Sequence, residues 1–493
     1  MPAPAETFAE TPAGTRLGYG DLLDLSARYA HVLVDLGLRP GERVALQVQK
    51  SIPALVLYLA TLRAGGVFAP FNPAYTAAEM AYFLGDAAPH ILICDPAAAP
   101  ALGEVAAAAG VGHVEILDCD GRGAMVGRAE AAPSDFTDVP RSGDDLAALL
   151  YTSGTTGRSK GAMLSHENLA SNARALVEAW RFSADDVLLH ALPVFHTHGL
   201  FVATNVALFS GASLIYLPRF DVEAVVYGLG RATVMMGIPT FYARLLASDL
   251  LSRDAMAHMR LFTSGSAPLS AAVHREFEAR TGHAIVERYG MSETNMNTSN
   301  PYDGERRPGT VGPPLPGVEI RITELGSGAT LARGEVGMIE IKGPNVFSGY
   351  WRRAELTATE FRGDGYFVTG DMGLIDEDGY VSIVGREKDL IISGGLNVYP
   401  AEVEGAIDRI EGVAECAVIG VPHADFGEAV VAVLALSPGA KLAPDDIAGA
   451  LAESLATFKR PKAVYFVPTL PRNAMGKIEK ARLRENYHGA FAG

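Results

Sequence analysis

Short apolar runs alternating with amphipathic stretches constrain this chain more than any single residue does. Leu22, Leu25, Tyr29, Leu33 and Leu36 recur at helical spacing up to Gly37, and Val44, Leu46 and Val48 alternate as a strand. Residues 52–63 return to a helical pattern, and residues 91–94, 146–150, 187–192, 214–217 and 261–264 repeat the strand signal. Helices between short buried strands imply crossover connections, so a parallel, doubly wound α/β sheet is expected. Ligands of such sheets sit beyond the carboxyl ends of the strands, so the turns after these runs are the candidates for chemistry. At 493 residues the chain is too long for one core, and at least two domains are expected.

The run at 146–150 leads into Thr152, Ser153, Gly154, Thr155, Thr156, Gly157 and Lys160. Glycines admit close backbone approach, hydroxyls donate hydrogen bonds and lysine adds a point charge, which together describe a polyphosphate cradle. Such composition is more often a surface loop. A strand in front and a helix behind, capped by Ser165 with Leu169, Ala173, Leu176, Val177 and Trp180 on one stripe, favour the cradle. It is not a Walker A loop, because Gly154 and Gly157 are too close and Gly161 follows Lys160.

Residues 310–380 change texture to short strands rich in glycine and proline, which suggests a β-rich subdomain. The last hundred or so residues read as a small α+β domain, with a helix from Pro400, strands at 416–421 and 430–436, and a helix at 447–456. The net charge, 41 − 57 = −16, argues against nucleic acid and anionic membrane surfaces as partners. Cys94, Cys119 and Cys416 are scattered and read as buried small hydrophobes. The amino terminus lacks basic and apolar signal features and no apolar run approaches about 20 residues, so a cytoplasmic location is expected.

The motifs, taken in order, resemble those of the adenylate-forming superfamily of acyl-CoA synthetases, adenylation domains and luciferases, over essentially the whole chain. Ser159 departs from the proline common at its position. The resemblance implies that residues 152–157 and Lys160 hold the phosphates of ATP. Gly265, Ser266, Ala267, Arg288, Tyr289, Gly290, Met291 and Ser292 would line the nucleotide. Glu293 would hold Mg²⁺, and Asp371 and Arg386 the ribose. Lys388 would be the hinge between residues 1–387 and a mobile domain of residues 388–493. Ser393, Gly394 and Gly395 would line the coenzyme A channel, and Lys477, with Glu293 and Lys160, would be catalytic. The implied reaction has two steps. A carboxylate attacks the α-phosphate of ATP to give an acyl-adenylate and pyrophosphate, and a thiol then expels AMP.

Within the superfamily, the runs at residues 195–201, 287–299 and 422–428 resemble malonyl-CoA synthetases, which implies malonate as the acid and tolerance of methylmalonate. A second carboxylate is costly to bury unpaired. Arg288 and Arg244 are candidate partners because guanidinium binds carboxylate bidentately, although either could be an ordinary ion-paired or surface residue. His196 and His198 are read either as packed or phosphate-facing histidines or as malonate contacts, with Thr197 and Met296 as pocket walls. Rival readings are a ligase for a short or aromatic monocarboxylic acid, an adenylation enzyme loading a carrier protein, and a silent nucleotide-binding protein. A lysine acetyltransferase acting on Lys477 is an expected regulatory partner, since acetylation removes the charge.

Overall fold

The computed structural model describes residues 3–152, 159–452, 454–473 and 476–491. Ser153, Gly154, Thr155, Thr156 and Gly157 of the expected phosphate loop lie outside the described residues.

Two mostly parallel sheets carry the first three hundred or so residues. One has six strands in the order His113–Ile116, Ile91–Cys94, Arg43–Gln47, Val67–Pro70, Leu146–Thr152 and Lys160–Ser165. The other has eight, in the order Asn295–Ser299, Val286–Met291, Leu261–Ser264, Val234–Gly237, Val187–His190, Ser213–Tyr216, Thr7–Glu10 and Arg16–Gly18. Only edge strands run antiparallel, and helices cross between the parallel neighbours. The helix Ile52–Arg63 falls where its pattern puts it. Ser51 caps it by accepting from the Ala54 amide, and Pro53 occupies its first turn without loss of a needed donor.

Two details correct the sequence reading. The chain does not pass from the expected phosphate loop directly into a helix. It returns first along the sheet edge, with Ala162 opposite Leu150 and Leu164 opposite Ala148, because these side chains are all buried there. The helix His166–Ala179 follows, and Ser165 caps it as expected. Cys94 and Cys416 are buried, but Cys119 is exposed, beside a turn in which Asp118 accepts from the Asp120 and Arg122 amides.

The β-rich region is an antiparallel sheet of Glu319–Thr323, Gly337–Lys342, Phe367–Ile375 and Val381–Arg386. A 3₁₀ turn at Glu387–Asp389 then carries the chain into a third core. There the strands Val413–His423 and Gly427–Leu436 pack Pro400–Ile407 and Pro444–Leu451 on one face and Lys480–Tyr487 on the other. Among the described residues no helix is long and apolar enough to cross a membrane.

Candidate active site

The carboxyl-terminal segment reaches back over the eight-stranded sheet. Gly476 packs on Ile238 and Thr240 at the start of the helix Pro239–Leu246. This contact places Lys477 in one electrostatic environment with Arg386, Asp371, Glu293 and Arg288. Lys477 stays accessible to solvent within the crevice. The surrounding protein lowers its pKa, with Arg386 acting the same way and Asp371 and Glu293 opposing.

Arg288 is the most unusual group of the site. It lies on the strand Val286–Met291 and is only 3 % exposed, and none of its three guanidinium nitrogens has a hydrogen-bond partner among the described residues. The backbone of Gly265 lies so close that an added Cβ would fall 2.5 Å from the Arg288 Cζ, so a side chain there would displace the guanidinium. Burial pushes its pKa down to about 9, still above neutrality, so it remains a cation at pH 7. A buried cation without a partner is costly in a finished core and reasonable in a binding site.

The loop after Val187–His190 faces the same space. His198 is buried, its Nδ1 lies 3.2 Å from the Ser266 hydroxyl, and its Nε2 has no partner. Burial, with Arg288 as the next cause, holds its pKa well below the usual histidine value. His196 is half-buried, and burial together with Lys477 lowers its pKa to about 3. Thr197 donates to Asn295 Oδ1 at 2.9 Å, and Met296 beside it is buried. Ser266 adopts a left-handed backbone, φ 70°, which is rare for a residue with a side chain and common at functional sites. Ala267 beside it is half-buried.

Glu293 sits at the tip of the hairpin between Val286–Met291 and Asn295–Ser299, with Gly290, Met291 and Ser292 half-buried along the approach. The segment is a hairpin turn, and the turn is what presents the carboxylate. Tyr350 lies with its hydroxyl 3.0 Å from both Glu293 Oε1 and Glu360 Oε2, and the Thr152 hydroxyl is 3.4 Å from Glu293 Oε1. Burial raises the pKa of Glu293, and Glu360 adds to the rise. Lys160, itself buried, pairs with Glu360 at 3.3 Å and lies over the Tyr350 ring.

One phenolic hydrogen cannot serve two carboxylates, so this corner is short of positive charge. A hard dication with one or two carboxylate ligands and phosphate oxygens fits that donor set.

A third cluster joins the β-rich sheet to the hairpin. Asp371 accepts from the Tyr289 hydroxyl at 2.6 Å and pairs with Arg386 at 2.8 Å, opposite it in the strand register. A carboxylate has about four acceptor positions, so two remain for ligand hydroxyls.

Other expected residues stand apart. Arg244 is exposed on the last turn of Pro239–Leu246. It is one helical turn beyond Thr240, and its exposure places it outside the buried pocket around Arg288. Ser393 is buried, and Gly394 and Gly395 form the turn between Ile391–Ser393 and Leu396–Val398 with φ of 59° and 79°. No hydrogen bond, ion pair or ring contact among the described residues ties that turn to Arg288, Glu293 or Lys477. Lys388 lies in the 3₁₀ turn between sheets. Tyr350, Glu360 and Asn295 were not singled out by sequence. Their partners are between 57 and 200 residues away, except that Tyr350 and Glu360 lie ten apart across the helix Ala354–Glu360, and only folding brings them together.

Comparison with known proteins agrees with this geometry. The AMP-binding enzyme family matches residues 3–351, and the family of AMP-binding enzyme C-terminal domains matches residues 402–477. A malonate–CoA ligase of Arabidopsis thaliana is 35 % identical over 91 % of this chain and 79 % of its own length. A long-chain-fatty-acid–CoA ligase of Bacillus subtilis is 34 % identical over 96 % of this chain and 91 % of its own. The crystal structure of ATP-bound MatB from Rhodopseudomonas palustris superposes with a TM-score of 0.98 and 57 % identity, covering 100 % of this chain and 97 % of that one. Two relatives of almost equal identity act on different acids, so overall similarity leaves the acid to the pocket. With both family segments matched in order and the crevice between them assembled, this chain belongs to the AMP-binding, adenylate-forming enzymes.

Proposed function

We infer that this chain is an ATP-dependent malonate–CoA ligase. It joins malonate to the α-phosphate of ATP with release of pyrophosphate, then transfers the malonyl group to coenzyme A with release of AMP. The observation that carries the choice of acid is Arg288, a buried cation whose three guanidinium nitrogens have no partner among the described residues, in the same pocket as His198, whose Nε2 is also unpartnered. A monocarboxylic acid would leave both unpaired. Malonate brings a second carboxylate that can take the guanidinium bidentately while the first faces Lys477. Thr197 and Met296 then bound the middle carbon, with room for methylmalonate, and Arg244, outside the buried pocket, attracts the dianion.

The first step brings two anions together, so its barrier yields to positioned positive charge. Lys477 supplies it between the carboxylate and the α-phosphate. Asp371, Arg386 and Tyr289 hold the ribose, and Lys160 leaves Glu360 for the phosphates beside residues 152–157. Glu293, with Thr152 and Glu360 nearby, would hold Mg²⁺. The bound ion would neutralise phosphate charge. Residues 388–493 act as the moving unit about Lys388, and Ser393, Gly394 and Gly395 line the thiol's approach once Lys477 has withdrawn. Acetylation of Lys477 by a lysine acetyltransferase would abolish the first step. Mass mapping of Lys477 beside an activity assay tests this, and full activity with Lys477 fully acetylated refutes it.

The direct test is acid-dependent exchange of pyrophosphate into ATP with malonate, methylmalonate, acetate, benzoate and octanoate. Malonate should lead, with methylmalonate second. If octanoate or benzoate leads, the malonate reading falls and the adenylate-forming assignment stands.

A further inference from the structure

Lys50 is a buried lysine, 9 % exposed, that the reaction as described does not use. It lies three residues beyond the strand Arg43–Gln47 of the six-stranded sheet, and its partners are His190 and Tyr216 of the eight-stranded one and Leu192 in the loop after His190. Nζ is 2.8 Å from the His190 carbonyl, 2.9 Å from the Leu192 carbonyl and 2.9 Å from His190 Nδ1, above the Tyr216 ring at 4.3 Å. The His190 Nε2 lies 2.8 Å from the Gly199 carbonyl, which can only accept, so Nε2 carries the hydrogen and Nδ1 offers its lone pair to Lys50. Three acceptors thus meet the three donors of an ammonium. Burial works against that charge and lowers the Lys50 pKa, while a neutral amine would leave one acceptor facing its lone pair.

These bonds lie at both ends of one loop. His190 and Leu192 begin it, and Gly199, reached through the His190 ring, closes it. The closure is tight, since a Cβ on Gly199 would fall 2.0 Å from the Pro193 carbonyl oxygen. Between the ends stand His196, Thr197 and His198, which face Lys477, Asn295 and Arg288. The chain continues as a π-helix at His198–Thr204, a form that often marks functional segments.

We propose that Lys50 is the positioning residue of the acid-binding loop, tying both ends of residues 191–198 so that His198 and Thr197 meet the substrate beside Arg288. The proposal rests on the crevice being the acid site, as inferred above. A displacement of about 1 Å in a site of this kind costs up to about a hundredfold in rate.

The test is steady-state kinetics of full-length Lys50→Met, a neutral replacement of similar length. The KM for malonate should rise by about tenfold or more while the KM for ATP stays within about twofold, because the ribose cluster is held by other elements. An unchanged malonate KM, or equal shifts in both constants, overturns the proposal. If Lys50→Met does not fold, His190→Leu serves, since Lys50 keeps both carbonyls while the ring's bonds to Lys50 and to Gly199 are lost. Its malonate KM should rise about threefold at constant ATP KM, and an unchanged value is again decisive against the proposal. Should the wild-type enzyme prefer another acid, only the malonate reading fails. The same comparison, read with the preferred acid, still decides the role of Lys50.

Discussion

Lys477→Ala is expected to lower malonate-dependent pyrophosphate exchange by about a hundred- to a thousandfold, the loss seen when a preorganised donor to developing charge is removed. Thioester formation from supplied malonyl-adenylate should stay within about threefold of wild type. The asymmetry follows from where the lysine sits. Its neighbours include Glu293, Asp371 and Arg386, and its loop rests on Ile238 and Thr240, more than two hundred residues earlier in the chain. Lys477 therefore belongs to the crevice through that contact, and the second half-reaction proposed above does not use it. ATP affinity should change little, because Asp371, Arg386 and Tyr289 hold one another without it. Exchange within tenfold of wild type, or an equal fall of both half-reactions, would overturn the assignment.

Much of the fold was legible because its signals are local. The pattern at residues 52–63 needs only its apolar content, the Ser51 cap and Pro53, and the runs at 91–94 and 261–264 coincide with observed strands. That Tyr289, Asp371 and Arg386 would share one neighbourhood was legible for a related reason, since each stands in a short motif. What the sequence hid depends on tertiary approach. Lys160 reads as a phosphate ligand, yet in the folded chain it meets Glu360, 200 residues on. Lys50 stands in no motif, yet it is enclosed because the end of its strand meets the His190 and Leu192 carbonyls at the end of a strand of the other sheet. Arg244 and Arg288 were equal candidates in sequence. Burial separates them, since one lies on an exposed helix face and the other beneath Gly265.

The same burial makes Arg288→Met a discriminating experiment, because activity and stability should move in opposite directions. For malonate, kcat/KM should fall by about a hundred- to a thousandfold, from the 2–5 kcal/mol or so lost when one member of a buried charge pair is truncated. Without substrate, the variant should be as stable as wild type or more so. The wild-type guanidinium is buried with no partner among the described residues, and an apolar side chain of similar length removes that desolvation penalty. Malonate should raise the melting temperature of the wild type, since a ligand that binds only the native state stabilises it. The same concentration should leave the variant unshifted. A structural arginine would behave differently: its loss would lower stability and leave the acid preference of surviving enzyme intact. Reduced stability with an unchanged ratio of malonate to acetate turnover would therefore remove Arg288 from the pocket, and with it the main reason to prefer a dicarboxylic acid.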